Sequence, residues 1–216
     1  MRITLVSIIL QPVRSIREAT IKDYDRVFQF KVALDDIKPP IWRRIQVPET
    51  YTFWELHVAI QDAMGWADYH LHCFFLTDNV TRQMQNVGMP ELDLRPAVIP
   101  DQSFPIANWF NITRTRAHYE YDFGDGWRHT IVFEGALPRE AGVVYPVCLA
   151  GKRACPPEDC GSIPGYERLL EILNNPQHEE YEEMIEWLGD VIDLEYFDAS
   201  EVVFDDLVER WRMANE

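Results

Sequence analysis

The sequence predicts an α+β fold: a mainly antiparallel sheet with helices packed on one face, and a helical C-terminal part. Three observations carry this expectation. Runs that alternate with period two recur up to about residue 134, one well-signalled helix lies among them, and beyond residue 161 helical spacing takes over. With 216 residues, 47% hydrophobic and 26% charged, the chain has the apolar material for a real core, which excludes disorder and low-complexity architectures.

The elements follow in order. Ile3 to Leu10 faintly imitates a signal peptide, but Gln11-Pro12 follows and no small-residue cleavage site does. Residues 1–26 are therefore expected to be an N-terminal extension, ahead of a single domain at 27–213. Val27 to Leu34 reads as a strand, and Pro39-Pro40 separates it from a second, Ile41 to Val47. In that second strand Ile41, Arg43, Ile45 and Val47 share one face, and Trp42, Arg44 and Gln46 the other. Thr52-Phe-Trp-Glu55 has the spacing of a capping box. Phe53, Leu56, Ile60 and Ala63 then share a helical face, and Gly65 is placed to end the helix.

Residues 70–77 read as a strand that points His70 and His72 to the same side. Residues 78–104 hold three prolines and no sustained period, so a long connection is expected. Residues 117–134 read as a hairpin turning at Asp122-Phe-Gly-Asp-Gly-Trp127. Pairing Phe123 with Trp127 sets Tyr121 opposite His129 and Tyr119 opposite Ile131, which gives a core face containing one imidazole. Cys148 to Gly161 reads as a rigid loop. Helices are expected over Tyr166 to Leu173, Glu179 to Leu188 and about Ser200 to Trp211.

Charge excludes some functions. Of 36 acidic and 20 basic residues, residues 1–130 carry a net of −2 and residues 131–216 a net of −14. The C-terminal part should repel phosphate backbones, which argues against direct DNA binding and leaves either a solvated face or a surface for a protein partner. No apolar run approaches the roughly 20 residues that span a bilayer. Four cysteines in a chain of this length do not resemble a secreted disulfide scaffold, so a cytoplasmic protein is expected.

Four motifs occur in order: Pro39-Pro-Ile-Trp-Arg-Arg44, His70-Leu-His-Cys-Phe74, Tyr121-Asp-Phe-Gly-Asp-Gly-Trp-Arg-His129, and Cys155-Pro-Pro-Glu-Asp-Cys-Gly161 with Gly165-Tyr166. Together they closely resemble the plasmid pRiA4b ORF-3-like family over roughly residues 27–210. The resemblance implies a compact α+β domain and a link to plasmids or mobile elements, and some members carry a transposon-resolvase label. The residues do not support that label. A serine resolvase needs a nucleophilic serine among arginines and a basic helix-turn-helix end, and this C-terminus is acidic. Asp122-Phe-Gly124 mimics the kinase metal-binding triplet without the rest of the kinase set, so the turn reading prevails.

Two constellations carry candidate chemistry. His70, His72, Asp122, Asp125, His129 and Asp159 form a polar cluster that suits a metal if the strands unite them. Otherwise His129 is a core histidine, the turn aspartates organise the hairpin, and Asp159 caps the helix near Tyr166 or anchors its loop. Cys148, Cys155 and Cys160, completed by Cys73 or His72, suit a structural zinc, against a reading as free thiols. No serine-hydrolase, phosphate-loop or dinucleotide fingerprint is present. The leading expectation is a non-catalytic binding or accessory module, and the alternative is a metal-dependent, hydrolase-like enzyme using the His/Asp cluster.

Overall fold

The computed structural model describes residues 23–215 apart from 79, 91, 93 and 190–192. Most of the expected extension, up to residue 22, lies outside the described residues. The strands are β1 (Arg26–Leu34), β2 (Trp42–Pro48), β3 (His72–Thr77), β4 (Met84–Gly88), β5 (Val98–Pro100), β6 (Arg116–Tyr121), β7 (Trp127–Pro138) and β8 (Val147–Lys152). They form one sheet in the order β5-β4-β3-β6-β7-β1-β2-β8. Every neighbouring pair is antiparallel except β4 and β5. The helices are α1 (Phe53–Met64), α2 (Ser162–Leu173), α3 (Tyr181–Leu188) and α4 (Leu207–Asn215). The chain is thus an α+β protein with a mainly antiparallel sheet.

Alternation along each strand builds the core. Phe30 lies between Ile45 and Phe133, and Val32 between Arg43 and Ile131, so the inward residues of three strands form one surface. Helix α1 lies across it, with Phe53 edge-on to Phe74 at 4.9 Å and stacked on Phe104 and Phe110. The other face is polar: Glu134 accepts hydrogen bonds from Arg44 and Gln29, and Gln46 donates to Gln29. Lys31 and Arg44 lie over the Trp42 ring there.

Helix α1 begins and ends where its sequence signals do. The Thr52 hydroxyl accepts from the Glu55 amide, and the Glu55 carboxylate accepts from the Thr52 amide at 2.6 Å. Gly65, at φ 87, sends its amide back to the Gln61 carbonyl. A Thr52→Ala substitution should cost about 1 kcal/mol, read as a lower urea midpoint with an unchanged slope.

Several expectations are corrected. The hairpin pairs Tyr121 with Trp127 and Tyr119 with His129, a register two residues from the expected one. Phe123 therefore sits in the turn, 38% exposed. The inward face is otherwise as expected, because a two-residue slip preserves side-chain direction. Residues 78–104 are not a plain connection, since they contain β4, β5 and a 3-10 turn at Asp101–Ser103. The supposed rigid loop from Cys148 opens instead as β8, bonded to β2. Helix α2 begins four residues before Tyr166, with Gly161 and no side-chain cap at its N-terminus, so Asp159 does not cap it. Gly165 is required there, because a Cβ would strike the Cys160 carbonyl. The last expected helix is a 3-10 turn, Ala199–Glu201, held by Asp198, followed by α4.

Candidate functional site

At one end of the sheet three segments meet: the chain entering β3, the turn leaving β6, and the loop between β8 and α2. Antiparallel pairing sets His72 opposite Tyr121. The Asp122 amide bonds to the Leu71 carbonyl, so His70 and Asp122 arrive at the same edge. Asp125 accepts from the Gly161 amide at 3.1 Å and so ties the hairpin turn to the third segment. The result is a carboxylate-rich rim around one imidazole. His70 Nε2 lies 3.1 Å from Asp159 Oδ1, 3.6 Å from Glu158 Oε2 and 3.7 Å from Asp122 Oδ2.

Each inner carboxylate is aimed by its other oxygen. Glu158 Oε1 accepts from the Ala67 amide and the Tyr121 hydroxyl, and among the described residues the buried Oε2 has no hydrogen bond. Asp122 Oδ1 accepts from the Gly124 amide, which turns Oδ2 toward His70. Asp122 and Asp159 both hold left-handed backbone, at φ 55 and 56, a conformation aspartate tolerates better than most residues. Asp122 is buried, Glu158 half-buried and Asp159 exposed, so the group opens to solvent on the Asp159 side.

A second group lies beneath α1. His57 Nδ1 is 2.8 Å from the Tyr119 hydroxyl, which also accepts from Gln61 Nε2, and His57 Nε2 is 2.9 Å from Asp68. The His57 and His72 rings stack at 3.5 Å, and His72 Nε2 is 2.8 Å from the buried Asp101. Burial, with the neighbouring His57, lowers the His72 pKa to about 4. Asp68 is held below the usual carboxylate range: His57 and Arg210 nearby outweigh the burial that would raise it.

The structure thus divides the sequence-derived cluster. His70, Asp122 and Asp159 come together, and Asp125 positions their loops. His72 turns inward to the second group. His129 is fully buried and edge-on to Trp66, and among the described residues neither ring nitrogen has a hydrogen-bond partner. Burial lowers its pKa to about 4. The thiol site is not assembled: among the described residues, neither three-residue group able to hold a cation includes a cysteine. Burial raises the thiols of Cys148 and Cys155, and that of Cys160 to about 12, which keeps them protonated. Cys73, on β3, is buried and likewise raised to about 12.

The family model for plasmid pRiA4b ORF-3-like proteins matches residues 26–201. The chain belongs to this family. It is 35% identical over 164 residues to the uncharacterized protein y4hQ of Sinorhizobium fredii, covering 76% of this chain and 81% of that one. It is also 45% identical to a crystallised protein of unknown function from Methanosarcina mazei Go1. That match has a TM-score of 0.78 and covers 84% of this chain and 100% of the other. The plasmid pRiA4b ORF-3-like span contains every residue of both polar groups, and α4 with Arg210 lies beyond it. Among the described residues no helix is long and apolar enough to cross a membrane.

Sequence reasoning missed His57, Asp68, Asp101 and Glu158. His57 and Gln61 did leave a signal, as polar residues four apart beside the core positions Leu56 and Ile60. Glu158 was inside a recognised motif. Asp101 left none, because its role depends on the path of β4 and β5.

Proposed function

We propose that the protein is a binding module whose ligand is a divalent cation held by His70, Asp122 and Asp159, with Glu158 beside them. The observation that carries this reading is the approach of three carboxylates to within 3.7 Å of one imidazole nitrogen. Two donors each about 2.1 Å from an ion and at right angles are about 3 Å apart, so the rim is already near coordination spacing. Carboxylates crowded this closely repel one another. A protonated His70 offsets one charge, whereas a divalent ion offsets two and uses the imidazole as a ligand. One nitrogen among oxygens is a donor set that manganese accepts, and zinc as well.

Calorimetric titration of Mn²⁺ and Zn²⁺ into metal-free protein tests this. One ion per chain should bind at the rim, with affinity reduced roughly 100-fold by Asp122→Asn and by His70→Ala. A stoichiometry that both variants leave unchanged would sink the reading.

A metal-dependent hydrolase is the second reading, favoured by one feature. A cavity of about 210 Å³, lined by Asp159, Cys160, Arg168, Leu169, Met184 and Trp187 among others, opens beside the rim. Manganese-dependent cleavage of bis(p-nitrophenyl) phosphate, lost in Asp122→Asn, would support it. Cation binding without turnover of that ester or of p-nitrophenyl acetate would leave the binding module. The net charge of −14 in residues 131–216 supports a protein partner over nucleic acid.

A further inference from the structure

We infer that the cavity between α2 and α3 holds the apolar part of a small aromatic or branched-chain carboxylate, whose oxygens reach the cation at the rim. This assignment rests on the reading of the rim as a cation site and names the ligand class that the cation would capture.

The cavity arises because the two helices bury unequal faces. Helix α2 buries Tyr166, Leu169 and Ile172, whereas α3 buries no residue. Leu169 and Ile172 line the cavity from α2, and Met184 and Trp187 line it from α3. Trp187 keeps 47% of its surface exposed there. Arg168 on α2 donates to Glu180, the residue before α3, at 2.6 Å and ties the helices together. A cavity of about 150 Å³ lined by aliphatic and aromatic side chains takes benzene. The cavity here, about 210 Å³, takes a ring. Room remains for roughly one or two further carbons.

One residue joins the cavity to the rim. Asp159 lines the cavity, and its Oδ1 lies 3.1 Å from His70 Nε2. Gly165 permits this arrangement, since a Cβ there would strike the Cys160 carbonyl and push the Asp159-Cys160 segment off α2. Among the described walls Asp159 is the one carboxylate, and Arg168 is already paired with Glu180. Cys160, its thiol pushed up by burial to about 12, adds no charge.

The apolar cavity therefore opens onto Asp159, with Glu158 and Asp122 also facing His70. A bare rim repels an anionic head, and a divalent ion reverses that sign. His70, Asp122 and Asp159 leave positions open in an octahedral shell of the kind manganese prefers. A ligand carboxylate takes such a position while the cavity buries its ring. Cation and carboxylate binding are then coupled, and linkage makes the coupling reciprocal.

The test is calorimetry with phenylacetate as the probe. Wild type saturated with Mn²⁺ should bind it at least about tenfold more tightly than metal-free protein, and saturating phenylacetate should raise the Mn²⁺ affinity by the same factor. Acetate, which lacks the ring, should bind the Mn²⁺-loaded protein at least about tenfold more weakly. Met184→Trp fills the cavity from a helix that buries nothing, and it should weaken phenylacetate binding to the Mn²⁺-loaded protein by a similar factor. Equal affinities with and without Mn²⁺, or equal affinities for acetate and phenylacetate, would overturn the inference. So would phenethylamine bound more tightly by metal-free protein than phenylacetate is by loaded protein, which would make the ligand a cation. Failure of the rim reading shows separately, as no Mn²⁺ binding before any probe is added, and it removes both proposals. Mn²⁺ held at the rim with no phenylacetate taken up removes this one alone.

Discussion

Metal-free protein should lose stability steeply as the pH falls from 6.5 to 4. The pKa values of His72 and His129 lie near 4 in the folded state, against 6.5 when exposed. Within that window the unfolded chain takes up protons that the folded chain refuses. Stability therefore falls as pH falls, and the histidine contribution levels off above 6.5 and below 4. At 1.36 kcal/mol per unit each histidine contributes about 3 kcal/mol. Asp62 works the other way: burial raises its carboxyl to about 6, so the folded state holds a proton there that the unfolded state has lost. One partly buried carboxylate offsets only part of two fully buried imidazoles. Guanidinium unfolding at pH steps across the window reads the result directly, and a flat or rising stability on acidification would show that the imidazoles are not excluded from protonation.

Arg43→Ala should be the most damaging of the simple truncations, lowering stability by about 3 kcal/mol or more. Arg43 is a fully buried cation, and among the described residues no carboxylate pairs with it. Nε donates to the Ala63 carbonyl in the last turn of α1, and Nη1 to the carbonyls of Trp42 and Lys152. The guanidinium lies 3.6 Å over the Phe197 ring. One side chain thus joins α1, β2, β8 and the C-terminal segment, and its loss leaves buried carbonyls without donors. The neighbouring Arg44→Ala, on the polar face with Glu134, should cost under about 1 kcal/mol. Equal effects in urea unfolding would contradict the assignment of the two arginines to opposite faces.

The contrast between those neighbours shows what was legible in advance. Alternation placed Arg43 with Ile41, Ile45 and Val47, and the sheet buries all four. The same period protected the hairpin expectation, since an error of two residues in register left Tyr119, Tyr121, Trp127, His129 and Ile131 facing the core. Helix α1 was legible because a capping box and a left-handed glycine are local chemistry. Strands β4, β5 and β8 were not, being short or edge elements whose formation depends on a neighbour rather than on their own pattern. The site was half legible for the same reason. Residue types and motifs singled out His70, Asp122 and Asp159, but only the pairing of β3 with β6 and the Asp125 tether bring them together. His72, two residues from His70 and on the same side, belongs to a different group because β3 passes beneath α1 there.

Anomalous diffraction from crystals grown with Mn²⁺ tests the rim site most directly. A peak is expected at the rim, within about 2.2 Å of His70 Nε2, from an ion that oxygens of Asp122 and Asp159 also ligate. Crystals saturated with manganese that show full side-chain density at the rim and no anomalous peak beside His70 would contradict it.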